Sequence, residues 1–567
     1  MSLVADALAA LEVDRLLLGI PDRSFPGDPE TDTGAGAPDS TAGRRFLAWV
    51  RALGFTGIQL APQGETSDTN PSPYDGTIFA RGPLALAVER LSGLVAPRTI
   101  ARLVRRRPPG APERVAYRYA LAAHRAVLGE AYATFARRRP PALAARLAAF
   151  RARARAWLDP AAEEADVFAQ LVLHEQHAAM RAYAHDLGLE VWGDLQVGLS
   201  ARDAARWRHL LLPGYRLGAP PSRTNPEGQP WGYPVLDPGQ ADAVLAFARC
   251  RFEKMFDEYD GLRIDHPHGL VCPWVYRDDT GDDAAAVRAG TRLHESPDLP
   301  ELARYAIARR DQLNPDPRTP RYADDWVVAL EPAQVTHYAW LVDALLDAAR
   351  RHGRDGRALA CEVLSTCPYP LARVLARHGL GRFRVTQKAR LDDPHDPYRA
   401  DLARPEDWVM VGTHDTPPLW TVVDRWRREG ALAARAAYLA ERLAPPGADR
   451  AAFAARLAAA PGLLVHAELA ALFASPARQV AVFFTDAFGL EEPYNRPGTI
   501  DERNWTLRLP WDYQARHRAR LRTDEALNLP LALALALAPT ARDGDRAALR
   551  QRLETAAAAW RCGEVPA

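Results

Sequence analysis

The sequence predicts an α/β fold, and within that class a (β/α)8 TIM barrel with inserted, mainly helical subdomains and no separate C-terminal β domain. Three observations predict it. Short apolar runs alternate with helical stretches, the pattern of a parallel sheet covered by helices. The runs end in polar residues that lead into Gly, Pro or Ser/Thr, as the rim of a barrel active site requires. The 567-residue length allows one elaborated barrel to use most of the chain.

In chain order the runs are Thr56-Gly-Ile-Gln-Leu-Ala-Pro, Leu189-Glu-Val-Trp-Gly-Asp-Leu, Gly261-Leu-Arg-Ile-Asp-His, Ala358-Leu-Ala-Cys-Glu-Val-Leu and Trp408-Val-Met-Val-Gly-Thr-His-Asp. Each is short and carries β-branched or bulky apolar residues, the mark of a buried strand. Helical stretches precede several of them, such as residues 338–351. Three inter-strand segments are too long for one helix and read as insertions. Residues 84–188 are rich in Ala and Arg and helical in spacing. Residues 273–330 read as loop and helix, with Asp278, Asp279, Asp282 and Asp283 around Gly281. No glutamate stands there at EF-hand spacing, so a solvated loop is expected rather than a calcium site. Residues 427–480 read as helical again. The Leu/Ala-rich window 531–538 reads as a buried helix turn or strand, far short of the roughly 20 residues a membrane helix needs.

Composition excludes several classes. Hydrophobic residues are 48% and charged residues 25% of the chain, as in an ordinary globular protein. Lys+Arg is 72 against Asp+Glu 71, so no global field draws the chain to nucleic acid or to an anionic membrane. The Arg105–Arg107 and Arg137–Arg139 triplets lack interleaved aromatics and read as solvated helix ends. The five cysteines have no zinc-finger spacing and make a disulfide framework improbable, which fits a reducing cytoplasm. The N-terminal stretch has no Lys or Arg before its apolar residues and does not read as a signal peptide.

Three carboxylates stand at three strand ends. In Gly261-Leu-Arg-Ile-Asp-His, alternation puts Arg263 and Asp265 on one face and Leu262 and Ile264 on the other. An arginine beside an aspartate keeps it ionised, which suits either a buried structural pair or a fixed nucleophile. Glu362 ends an apolar run, where partial desolvation favours holding a proton; a general acid or a capping glutamate both fit. His414 and Asp415 are adjacent, so both reach one site only if the strand has ended before them; Thr416-Pro417 predicts that it has. No HExxH and no Gly-x-Ser-x-Gly completes a zinc site or a hydrolase triad.

Together these blocks, spread from about residue 54 to 510, resemble glycoside hydrolase family 77, the amylomaltases or 4-α-glucanotransferases (disproportionating enzymes). Arg-Ile-Asp-His resembles the family's nucleophile strand, and Gly412-Thr-His-Asp the strand of its transition-state-stabilising aspartate. Asn70-Pro-Ser-Pro-Tyr74 is similar to its Asn-Ser-Pro-Tyr loop, Trp192-Gly-Asp194-Leu to its early Gly-Asp strand, and Gly228-Gln-Pro-Trp231-Gly-Tyr-Pro to a Gly-Gln-x-Trp-Gly-Asn-Pro loop. Tyr494-Asn495-Arg-Pro-Gly-Thr499 with Asn504-Trp505 is similar to Asn-x-Pro-Gly-Thr…Asn-Trp. Three places depart from the family pattern. Glu362 is followed by Val-Leu-Ser where the family has Asp-Leu-Gly, Thr416-Pro417 replaces Asn-Asp, and Tyr233 replaces an asparagine.

The resemblance implies a retaining transfer of α-1,4-glucan segments. Asp265 would be the nucleophile, Glu362 the acid/base and Asp415 the transition-state stabiliser. Tyr74, Asp194, Trp231, Arg263, His266, His414 and Asn495 would hold sugar. The implied partners are α-1,4-glucans and maltooligosaccharides, with glucose as an acceptor. An α-glucan hydrolase, a transferase with another acceptor and a catalytically silent glucan-binding protein are the rival readings. No cofactor is expected, because no Gly-x-Gly-x-x-Gly or phosphate loop is present, and no metal is expected at His266 and His268.

Overall fold

The computed structural model describes residues 2–110, 112–499, 501–541 and 544–566. Among them are twelve strands: β1 (Arg15–Gly19), β2 (Gly57–Gln59), β3 (Glu190–Leu195), β4 (Leu211–Ala219), β5 (Gln229–Leu236), β6 (Gly261–Ile264), β7 (Trp274–Arg277), β8 (Thr291–Arg292), β9 (Leu359–Cys361), β10 (Phe383–Val385), β11 (Trp408–Met410) and β12 (Gln479–Phe483). Eight form one sheet in the order β10-β11-β12-β1-β2-β3-β6-β9, every pair parallel. Three strands separate β3 from β11 in this order, yet the Trp192 and Trp408 rings stand 4.9 Å apart. The sheet therefore curls into a nearly closed barrel, with β9 and β10 as its two ends.

Alternation along each strand divides the core. Leu16, Leu18, Ile58, Val191, Leu262, Ile264, Val409, Val480 and Val482 face outward into the main core shared with the helices. Leu17, Trp192, Ala360, Phe383, Val385, Trp408 and Met410 fill the barrel interior, which is packed rather than hollow. Gly261 is required by this filling: a Cβ there would lie 2.5 Å from ring atoms of Trp192. The outer helices form for local reasons. Residues Thr41–Leu53 start where the Ser40 hydroxyl accepts the Gly43 N–H at 2.9 Å. They stop at left-handed Gly54 and bury Phe46, Leu47, Trp49, Val50 and Leu53 along one stripe.

The five apolar runs predicted as strands all enter the barrel. β1, β10 and β12 were not foreseen. β10 is three residues long, and β1 and β12 carry apolar residues at successive positions, so their sequences lack the alternation that marks a half-exposed strand. Within residues 84–188 lie helices Pro97–Arg106, Tyr117–Arg138, Pro141–Arg153 and Glu164–Asp186, with a satellite core around Val127, Phe135, Phe150 and Phe168. Residues 273–330 differ from the loop-and-helix expectation. They contribute β7 and β8 to an antiparallel sheet of order β5-β4-β7-β8, which stands beside the barrel mouth and carries Trp231. In 427–480, helices Leu432–Leu443, Arg450–Ala459 and Pro461–Phe473 follow one another, but Gln479 and Val480 already belong to β12. The Leu/Ala window lies in the buried helix Leu529–Leu537. Among the described residues no single helix is long and apolar enough to cross a membrane.

Candidate active site

All ten residues singled out from the sequence meet at the C-terminal rim of the barrel. β3 ends with Asp194 inward and β6 brings Arg263 beside it in register. Arg263 is buried and is the hub. Its Nη1 donates to both Asp194 oxygens (2.9 and 2.7 Å) and to the Tyr74 hydroxyl (3.0 Å). Its Nη2 lies 2.5 Å from Glu362 Oε2 and 3.5 Å from Asp265 Oδ1. Tyr74, from the loop after β2, donates its hydroxyl to Asp194 Oδ2 at 2.9 Å.

Asp265 follows the last residue of β6, so its carboxyl stands above the strand end. The Val197 N–H donates to its Oδ2 at 3.2 Å. His266 has φ +41°, a left-handed conformation that non-glycine residues adopt at a cost of roughly 1 kcal/mol or more. The turn brings the imidazole back over the site: Nδ1 lies 3.1 Å from Asp265 Oδ1 and 3.3 Å from Glu362 Oε2. The Trp231 ring meets His266 edge-on at 4.9 Å. One oxygen of Asp265, one of Glu362 and a His266 nitrogen all lie within 4.8 Å of one another. Such a trio has the spacing of a metal site, but the Arg263 guanidinium already brings positive charge to both carboxylates.

His414 and Asp415 lie in a turn beyond β11, as the proline step predicted. The Thr416 Oγ1 accepts the Thr413 N–H at 2.8 Å, and the Thr413 Oγ1 accepts the Asp415 N–H at 3.2 Å. Asn495 Nδ2 donates to Asp415 Oδ1 at 2.6 Å, and its N–H donates to the His414 carbonyl at 3.0 Å. The His414 ring stacks on Tyr74 at 5.2 Å and lies 5.5 Å from Trp505. A small pocket opens beside them, lined by Tyr74, Asp194, Arg263, His414 and Trp505.

The electrostatics divide the carboxylates. Burial works against the charge on Asp265, but the hydrogen bond and charge of His266, then Arg263, hold it well below the usual aspartate range. Asp415 is likewise opposed by burial and held at about 2 by His414 and Asn495. Burial pushes Asp194 up to about 6 against Arg263, which leaves it ionised at neutral pH. Glu362 departs from the expected apolar surroundings. It is buried, but Arg263 and His266 both face its Oε2, because β6 and β9 are adjacent and their polar ends converge.

His266 follows from the same convergence. Burial would lower it, but Glu362 and Asp265 raise it to about 9. A raised histidine stabilises the fold fully below its ordinary value of about 6.5 and loses that contribution as pH climbs through about 9. Proton NMR of the His266 ring should therefore show titration two or more units above a free histidine; titration at the ordinary value would discard the trio as drawn. Arg263 supports a second expectation. Arg263→Met removes the cation from three buried carboxylates and should cost about 3–5 kcal/mol of unfolding free energy in denaturant titration at pH 7. A loss below 1 kcal/mol would mean that the carboxylates do not depend on it.

Two contributors were not singled out from the sequence. Trp505 stood in a quoted motif, but its place against Tyr74 and His414 depends on a left-handed turn at φ +64°. Gln59 ends β2 and lies 3.5 Å from Asp194 Oδ2, a contact that its own run already placed at a strand end.

A parallel barrel with its polar side chains gathered at the C-terminal rim defines a class, the (β/α)8 barrels that carry their site on the segments after the strands. A family model described as 4-alpha-glucanotransferase, glycoside hydrolase family 77, matches residues 28–163 and 162–514, and the chain belongs to that family. The 4-alpha-glucanotransferase of Mycobacterium tuberculosis H37Rv is 26% identical over 361 residues, covering 60% of this chain and 43% of that protein. That of Thermus thermophilus is 26% identical over 282 residues, covering 41% of this chain and 55% of that protein. The chain thus matches about half the length of these relatives. Two solved structures share the fold. The amylomaltase of Streptococcus agalactiae in complex with acarbose has a TM-score of 0.65 at 16% identity, covering 96% of this chain and 99% of that one. The amylomaltase of Corynebacterium glutamicum has a TM-score of 0.61 at 20% identity, covering 98% and 76%.

Proposed function

We propose that the protein is a retaining 4-α-glucanotransferase acting on α-1,4-glucans and maltooligosaccharides, with glucose or a maltooligosaccharide as acceptor. The observation that carries this is the carboxylate spacing. One oxygen of Asp265 and one of Glu362 lie within 4.8 Å of each other and share the Arg263 Nη2, the close approach of carboxylates that double displacement needs. An inverting enzyme needs roughly 6.5–9.5 Å to admit a water.

Asp265, held ionised by His266 and Arg263, attacks the anomeric carbon. Glu362 protonates the leaving oxygen, and the glycosyl unit is left as an ester on Asp265. Glu362 then takes the proton from the acceptor 4-hydroxyl as that oxygen displaces Asp265. Asp415, fixed by Asn495 and His414, binds sugar hydroxyls and favours the flattened cationic state. Tyr74 and Trp231 offer rings against the sugar, and Asp194 keeps Arg263 in place.

Incubation with maltotriose tests this. Glucose together with longer maltodextrins is expected. Shorter sugars alone would mean hydrolysis, and glucan binding with no turnover would mean a silent binding protein.

A further inference from the structure

The hairpin β4–β5 does more than present Trp231. Its base closes where the Asp237 N–H donates to the Leu210 carbonyl at 2.8 Å, and its tip is the turn from Ser222 to Asn225, whose N–H groups each donate to the other's carbonyl (2.8 and 3.2 Å). From base to tip its contacts move around the rim. The Tyr233 hydroxyl donates to the Tyr74 carbonyl at 3.2 Å, in the segment after β2. The Tyr233 ring also lies against Gly198, after β3, where a Cβ would stand 2.5 Å from it. The Trp231 ring meets His266, after β6, at 4.9 Å. Arg223, in the tip turn, reaches the segment after β10: its Nη1 is 2.9 Å from Asp396 Oδ2, and its guanidinium carbon stands 5.2 Å over the Tyr398 ring. Around the barrel β9 lies between β6 and β10, so the hairpin spans the strand ends that carry Asp265 and Glu362.

Little in the hairpin itself fixes it there. β5 is the edge strand of its sheet. Pro230 and Pro234 donate no N–H, Gly232 has φ +74°, and the pairing with β4 shifts register twice. Alternation turns Trp231 and Tyr233 to the barrel and leaves Pro230 and Gly232 exposed. The tip is therefore held by what it touches. Its Glu227–Arg288 pair is exposed and joins it only to the helix Asp283–Arg288 beside its own sheet. The Arg223–Asp396 pair is different. The Asp396 carboxyl is buried, its Oδ1 accepts the Tyr398 N–H at 2.9 Å, and Tyr398 packs into the barrel interior. The pair anchors the free end of the hairpin to the barrel itself, across the rim from its base.

Building on the glucanotransferase reading, we propose that Arg223 is a positioning residue whose pair with Asp396 latches the hairpin across the rim and so decides whether a sugar or water takes the glycosyl unit from Asp265. Both outcomes are the same displacement. The attacking oxygen bonds to the anomeric carbon, the ester bond to Asp265 breaks with its electron pair returning to the carboxylate, and the proton of the attacking hydroxyl or water goes to Glu362. A sugar acceptor is held at the ester by its contacts with the closed site. Water needs only access, which a hairpin latched over Asp265 and Glu362 denies it. A freed tip uncovers the ester and lifts Trp231 from His266, so water gains and the sugar acceptor loses.

The test follows maltotriose turnover by the full chain. Transfer conserves the number of reducing ends and hydrolysis adds one, so a reducing-end assay beside chromatography of the products gives the ratio of hydrolysis to transfer. The wild type should favour transfer. Arg223→Gln and Asp396→Asn should each raise the ratio by about tenfold, the worth of one partly buried charged contact, while total consumption of maltotriose changes far less. Arg223→Lys keeps the charge and should recover most of the wild-type ratio. Asp396→Asn keeps the Oδ1 acceptor and leaves no buried charge unpaired, so it reads the latch even if Arg223→Gln disturbs the fold. Hydrogen–deuterium exchange over residues 220–236 reads the latch without turnover, and both variants should exchange faster there than the wild type. A wild type that hydrolyses as readily as it transfers, or a ratio untouched by Asp396→Asn, overturns the proposal, and so does unchanged exchange in the hairpin of both variants. A chain that neither transfers nor hydrolyses sinks the functional reading, and the exchange experiment still decides whether Arg223 latches the hairpin.

Discussion

Asp265→Asn is expected to lower maltotriose disproportionation by about 10⁴-fold or more, because the amide cannot form the ester that divides the reaction into two steps. The change is nearly isosteric, so the chain should still unfold in one cooperative transition. A stability difference is expected nonetheless. Asp265 has a depressed pKa, so its ionised form contributes stability above the ordinary aspartate value of about 3.9, and that contribution is lost as pH falls below it. The variant should therefore be less stable than wild type at pH 7 and converge on it in acid. Disproportionation within tenfold of wild type would refute the nucleophile assignment, and convergence at high rather than low pH would refute the electrostatic account.

Glu362→Gln should lower turnover of maltotriose by about 10²–10⁴-fold, since both the proton donated to the leaving oxygen and the proton taken from the acceptor pass through this side chain. The two half-reactions can be separated. A maltosyl fluoride needs little protonation to leave, so the variant should form the glycosyl ester quickly and resolve it slowly. Intact-protein mass spectrometry should then show an added maltosyl group, and peptide mapping should place it on Asp265. The same substitution removes the leading partner that raises His266, whose titration should fall from about 9 toward an ordinary histidine. A variant that turns over normally, or an adduct on another residue, would end the assignment. Unchanged His266 titration would mean that the 3.3 Å contact with Glu362 does not exist in solution.

Much of this site was legible because its residues lie in strands or just beyond their ends. Alternation put Arg263 and Asp265 on one face, and their 3.5 Å separation follows directly. The same rule put Leu262 and Ile264 under the helices. The Thr416-Pro417 step marked the end of β11 and so allowed His414 and Asp415 to share one cleft. Glu362 was found for the right position and the wrong surroundings. An apolar run predicts desolvation, but not that the neighbouring strand's guanidinium and imidazole will face the same oxygen. β1 and β12 escaped because apolar residues at successive positions show no alternation, and β10 because three residues carry too little signal. The antiparallel sheet beside the mouth escaped because Pro and Gly interrupt β4 and β5, and β7 and β8 are only four and two residues long.

Local order in the chain settled which residue types stand at the strand ends, since a period of two and a proline step are properties of consecutive residues. Which of those ends meet was settled by closure of the barrel. Parallel pairing of β6 with both β3 and β9 is what places one guanidinium among three carboxylates. Charges separated by about a hundred residues of chain act on one another only after that closure, because their interaction falls with distance through space and takes no account of distance along the chain.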